Sequence, residues 1–155
     1  MLTVLRTPDE GPAPMEPAAT LADLPAIIER AERGGLLIET ELEGIGPDAE
    51  GAGSFDALEQ GIELTVCTVV AEGLTNVLRH AGPTTVRLRV ARSAHVVAVD
   101  VIDDGPAPSW RPAPGAGHGL TGLRERLRAY GGTLNTQLTS PGFRLQARLP
   151  LGAGA

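Results

Sequence analysis

The feature that most constrains this chain is a helical repeat of apolar residues between Phe55 and His80. Leu58, Ile62, Val66, Val69, Val70, Leu74, Val77 and Leu78 recur at steps of three and four, the spacing that lines one side of an α-helix. A helix with so wide an apolar stripe must be covered by other elements. Ala81-Gly82-Pro83 ends it, and two segments of period two follow at once. Val86, Leu88 and Val90 alternate with Arg87 and Arg89, and Val97, Val99 and Val101 alternate with Ala98 and Asp100. These read as strands with one face on a core and the Arg87/Arg89 face in solvent.

The remaining segments complete a single domain. Leu21 to Arg33 reads as a short helix capped by Thr20 and stopped by Gly34-Gly35. Leu36 to Leu42 is strand-like, and residues 44–54 form a Gly- and acid-rich loop. Thr121 to Tyr130 reads as a helix ended by Gly131-Gly132. Thr133 to Leu138 and Phe143 to Leu149 read as a closing hairpin around Ser140-Pro141-Gly142. Residues 1–20 are expected to be a linker or the end of a preceding helix, residues 21–150 the domain, and residues 151–155 a disordered tail. The strands fall into antiparallel pairs, not repeated strand-helix-strand units. That order predicts an α+β fold, with helices on one face of a mixed, mostly antiparallel sheet.

Composition narrows the function classes. Aromatic residues make up only 3% of the 155 residues, so the core must come from Leu, Val, Ile and Ala. The Ala, Gly, Pro and Arg bias points to a GC-rich genome, of the actinobacterial kind. The formal charge is −6, and all 13 basic residues are arginine. An acidic chain has no general attraction for nucleic acid or anionic lipid, so no nucleic-acid or membrane contact is expected. Without lysine the lysine-dependent phosphate loop is excluded. Any phosphate must be held by a local site. No apolar run approaches the roughly 20 residues of a bilayer span, and the first ten residues lack the pattern of a secretory signal. The single Cys67, in an apolar helical stretch, reads as a buried small hydrophobe in a reducing, cytoplasmic compartment.

Three segments carry the chemistry. In the first, Glu72, Asn76, Arg79 and His80 lie on one face of the long helix, opposite the Leu and Val residues. An amide oxygen such as that of Asn76 suits Mg²⁺, a hard cation shared with phosphates. In the second, Asp103-Asp104-Gly105 closes a strand, where an Asp can cap a turn or accept from an exocyclic amine such as that of adenine. In the third, Gly115-Ala116-Gly117-His118-Gly119-Leu120-Thr121 runs into a helix start, where exposed N–H groups and the positive helix end favour phosphate. Each segment alone also fits a plain structural role: a solvated polar face, a turn cap, and a helix capped by Thr121.

In this order the segments resemble the N, G1 and G2 boxes of the GHKL superfamily of gyrase, heat-shock chaperone, histidine kinase and mismatch-repair ATPases. "EGLTNVLRHA", "VIDDG" and "GHGLTGLRERLRAYGG" look like the sensor histidine kinases of the nitrate-sensor and thermosensor type, which pair with helix-turn-helix response regulators. "LTVLR" resembles the end of that family's dimerisation helix, and "LADLPAIIERAERGGLLIETELEG" its linker and first strand. The resemblance implies a Bergerat-type two-layer α/β sandwich that binds ATP with Mg²⁺. It implies that Asn76 ligates the metal and Glu72 stands beside it as a base-like catalytic group. Arg79 and His80 would contact phosphates or ribose. Asp103 would accept from the adenine amine, with Gly105 giving the ring room. Gly117 and Gly119 would present N–H groups to phosphate within a stretch that includes His118, Leu120 and Thr121, and Pro106 to Ala116 would form a lid holding Trp110.

The resemblance also implies an acceptor histidine on a separate dimerisation domain, a response regulator as the next partner, and a monomer for this stretch of chain. His80, His95 and His118 are the three histidines, and none stands in a His-Asp/Glu helical context. One position departs from the family's Asp-x-Gly-x-Gly pattern: the second glycine is Ala107, between Pro106 and Pro108. If that position needs φ > 0, alanine costs on the order of 1 kcal/mol. Two other readings share the superfamily. One is a degenerate, non-catalytic nucleotide-binding or interaction module, supported by Ala107. The other is an anti-sigma-factor serine kinase, against which "GLRERLRAYGG" stands.

Overall fold

The computed structural model describes residues 18–45, 58–112 and 118–152. A 3-10 turn, Leu21–Asp23, leads into α1 (Leu24–Arg33), β1 (Leu37–Glu43), α2 (Gln60–His80), β2 (Thr85–Arg92) and β3 (Val96–Asp103). Then come α3 (His118–Ala129), β4 (Thr133–Leu138) and β5 (Phe143–Pro150). The five strands form one sheet in the order β1-β2-β3-β5-β4. β1 runs parallel to β2, and the other neighbours are antiparallel. A parallel pair needs a crossover, and α2 supplies it. The expected fold class, helices on one face of a mixed sheet, is the one observed.

Alternation decides which face is covered. Val86, Leu88 and Val90 of β2, Val97, Val99 and Val101 of β3, and Leu145, Ala147 and Leu149 of β5 all point to the helices and are buried. The other face is polar. Glu41, Arg89, Asp100, Gln146 and Asn135 form one row across all five strands. Arg89 is paired with Glu43 at 2.8 Å, and Asp100 accepts from Arg144 at 2.9 Å and from Gln146 at 2.7 Å. Solvent-exposed pairs of this kind add little stability. Their effect is to keep this face of the sheet in water.

α2 packs against the sheet, α1 and α3, with ten of its 21 residues buried and Gln60, Thr75 and His80 exposed. By length and mean hydropathy it could cross a bilayer, contrary to the sequence reading, yet 56% of its most apolar stretch is inside the fold. It is the core helix. Its first turn starts at Gln60 and not at Phe55: Glu59 is extended, with its carbonyl accepting from Ile62 and Glu63, and Leu58 packs against the core instead. Phe55 to Ala57 lie outside the described residues. α3 likewise begins at His118, so Thr121 sits inside the helix and is not its cap. That start puts Leu120, Leu123 and Leu127 on one side, against the core.

The domain edges are tied down more widely than the sequence indicates. Ala19 packs against the core, and Thr20 lies where the Cys67 Sγ donates to its carbonyl at 3.1 Å. Leu151 also packs on the core and its N–H donates to His95 at 2.8 Å. Residues 1–17 and 153–155 lie outside the described part. Cys67 is buried as expected, and burial, with Asp23 and Glu63 nearby, pushes its thiol up to about 11. A maleimide reagent at neutral pH should therefore label Cys67 only after denaturation. Leu127 is fully buried. Leu127→Ala should lower the unfolding free energy by about 2–5 kcal/mol in a urea titration.

Candidate functional site

β3 ends on a charge. Positions 97, 99 and 101 face the core, and the same alternation carries Asp103 inward, where it is 3% exposed. Its Oδ1 accepts from the Gly105 N–H at 2.7 Å. Burial is the largest influence on this carboxyl and raises its pKa; the N–H groups of Gly105 and Phe143 pull it back, and Asp104 pushes it up again. Gly105 makes the turn with φ +82°, a conformation that glycine adopts without strain. Its carbonyl accepts from Thr84 Oγ1 at 2.9 Å.

The tip of the β4–β5 hairpin closes over this strand end. A side chain at Gly142 would strike the backbone oxygen and Oδ1 of Asp103, and one at Gly105 would strike the Pro141 carbonyl. In sequence, Ser140-Pro141-Gly142 reads only as a turn. Folding makes it a wall of the site.

Asn76 approaches from α2. It is 7% exposed, and its Nδ2 has no hydrogen-bond partner among the described residues. A buried donor left unpaired costs about 1–3 kcal/mol. Asn76 is one of the residues lining a cavity of about 540 Å³, within the range of small-molecule sites. α2 lines it with Asn76, Val77, His80 and Ala81, and the end of β3 with Asp103 and Pro106. α3 gives Leu120, and the hairpin gives Leu138, Thr139, Pro141, Gly142 and Phe143. Leu138 is 84% exposed although it is a large apolar residue. The hairpin residues were missed because their only sequence signal is a turn.

Of the residues singled out from sequence, Asn76, His80, Asp103 and Leu120 line this cavity together. Gly105 adjoins it through Asp103. Glu72 and Arg79 are half-buried and are not in its lining, and His118, Gly119 and Thr121 belong to the first turn of α3. Gly117 lies outside the described residues. The polar residues of α2 do not stand opposite its apolar side. They border it, since Asn76 is buried beside Val77 while Glu72 and Arg79 are half-buried.

Ala107 brings no strain, since no described residue other than glycine has positive φ. Its carbonyl accepts from the Trp110 N–H at 2.8 Å, and the Trp110 ring lies on Gly82, where a side chain would collide with it. The front of the expected lid is thus folded back on the α2–β2 turn, with Trp110 outside the cavity lining.

No family model matches the chain. The signal transduction histidine-protein kinase/phosphatase UhpB of Salmonella typhimurium is 38% identical over 74% of this chain and 23% of its own length. The sensor histidine kinase NarS of Mycobacterium tuberculosis is 33% identical over 78% of this chain and 27% of its own. Its homologues are thus sensor histidine kinases, each matched over part of its own length. The chain spans about a quarter of the length of the curated relatives it matches. Among solved structures, the histidine kinase domain of the Erythrobacter litoralis EL346 blue-light activated kinase has the same fold, with TM-score 0.60 and 24% identity over 84% of this chain and 59% of that one.

Within this kinase fold the residues present fit a nucleotide with its metal. Among the described residues no cluster of three His, Cys, Asp or Glu could hold an ion alone. Asn76 offers one amide, as suits Mg²⁺, which binds through one or two protein groups plus phosphates.

The raised Asp103 pKa has a definite sign. The native state binds that proton at pH values where the unfolded chain has lost it, so stability falls as pH rises from the ordinary carboxylate range through the folded pKa. Asp103→Asn keeps an acceptor for Gly105 and removes the charge. Urea unfolding across this range should show the variant gaining on the wild-type protein as pH rises, and levelling off above it.

Proposed function

We propose that this domain binds Mg-ATP in the Asn76–Asp103 cavity. It would position the γ-phosphate for transfer to a histidine on a separate dimerisation domain, with a response regulator as the next acceptor. The observation that carries this is the convergence of a buried carboxylate and a buried, unpartnered amide on one largely apolar cavity. Phosphoryl transfer needs positioning and charge neutralisation more than covalent chemistry by the protein.

The roles are those that the family resemblance implies for these residues. Asp103 accepts from the adenine amine, and the apolar hairpin and Leu120 enclose the ring. Asn76 would supply an oxygen to Mg²⁺, which when bound would neutralise phosphate charge. The N–H groups of His118, Gly119 and Leu120, in the first described turn of α3, would face an anion favourably. Gly117 adds to that set. Thr121, one position further, contributes to the same helix start. Arg79 and His80, at the end of α2, contact phosphate or ribose, and Glu72 is the base-like group near the γ-phosphate. The domain works in the cytoplasm as a monomer, without nucleic acid or membrane contact of its own.

Ala107 was the sole support for a degenerate module, and its unstrained backbone removes that support. The similarity to UhpB and NarS favours histidine over serine as acceptor.

Calorimetry should show binding of Mg-ATP and Mg-ADP, and Trp110 emission should change with either. Asn76→Ala should weaken binding by roughly ten- to a hundredfold, the equivalent of about 1.5–3 kcal/mol. Asp103→Ala should abolish the optical response. With γ-labelled ATP, label should appear on a histidine of an added dimerisation domain and not on this chain. Absence of adenine-nucleotide binding at millimolar concentration, or stable phosphohistidine on this chain, would overturn the reading.

A further inference from the structure

Glu72 stands one helical turn before Asn76 on α2, and its carboxylate lies against Gly119 in the first turn of α3. A methyl group on Gly119 would overlap a Glu72 carboxylate oxygen. The start of α3 is the positive end of its dipole, so a carboxylate is favoured there. The next residue, Leu120, lines the same cavity as Asn76. A fixed negative charge therefore borders the turn that an anionic ligand must reach.

We propose that Glu72 makes the site select the magnesium complex of the nucleotide over the free nucleotide, and that Gly119 is glycine so that this carboxylate can stand at the head of α3. The inference rests on the nucleotide reading above and adds a specificity role to it. Uncomplexed triphosphate brings its full charge to a turn that already faces a carboxylate, and the two repel. In the metal complex much of that charge is neutralised, and a carboxylate attracts the cation. Glu72 then acts before chemistry, as a filter on the bound species, whatever proton it handles later.

The test is calorimetric titration of ATP with magnesium and of ATP with EDTA. The proteins are wild type, Glu72→Gln, Gly119→Ala and the double variant. Glu72→Gln should tighten metal-free ATP by about tenfold, the order expected for removing one unit charge near a surface site. Mg-ATP affinity should fall or hold and not rise with it, so that the preference for the magnesium complex drops. Gly119→Ala is favourable to helix formation and moves only the far end of a flexible side chain. It should lower the Mg-ATP to free-ATP preference as Glu72→Gln does. The double variant should match Glu72→Gln alone, since both changes act on one charge.

An unchanged preference in Glu72→Gln, with both forms still binding, overturns the proposal. So does additivity of the two changes, or a Gly119→Ala that weakens both forms equally, the signature of a backbone role only. Failure of the wild-type protein to bind ATP in either form overturns the nucleotide reading itself, a distinguishable result.

Discussion

The contact on which the structure depends is that of α2 with the sheet. The helix approaches β3 closely at Gly73, where an added Cβ would stand 3.2 Å from Val101. α1 and α3 pack on it as well, and ten of its 21 residues are buried. That burial brings the last turn of α2 beside the last residues of β3. Asn76 and Asp103 therefore meet at the margin of one core, on elements whose apolar residues fix their positions. Groups on such elements are held more closely than groups on loops.

The same packing creates the local costs that give the site its chemistry. A valine at position 103 would continue the alternation of β3 without penalty, and an amide-free side chain at position 76 would leave no donor unpaired. The fold instead accepts a carboxylate with a raised pKa and an unpartnered Nδ2. Groups perturbed in this way, gathered in a cavity, mark functional sites more often than structural ones. Gly142 and Gly105 let the hairpin tip come down on the strand end, so the enclosure is built from backbone and not from bulky side chains.

Charge is arranged differently on the two faces of the sheet. On the open face, acids and arginines answer one another across neighbouring strands. On the helix side, Asp103 and Glu72 stand without arginine partners among the described ion pairs, one at the strand end and one at the start of α3. In the proposed reading, a chain without lysine, carrying a net charge of −6, would hold anions with helix ends and backbone N–H groups alongside Arg79 and His80.

The apolar periods were sufficient to give α2, the three inner strands and the helix-on-sheet layering, because burial of one face imposes a period that local sequence must carry. Of the residues that the three polar segments singled out, Asn76, His80, Asp103 and Leu120 line one cavity. Tertiary structure alone decided the rest. It set the parallel pairing of β1 with β2, since strand direction depends on where the crossover lands. It made Pro141, Gly142 and Phe143 a wall of the site, because a hairpin tip acquires a role only from what it lands on. It placed Glu72 against Gly119, which are 47 positions apart and meet only when α2 and α3 pack. It also showed Ala107 to be unstrained, since the backbone angle at a position follows from its turn and not from the family's habit of placing glycine there.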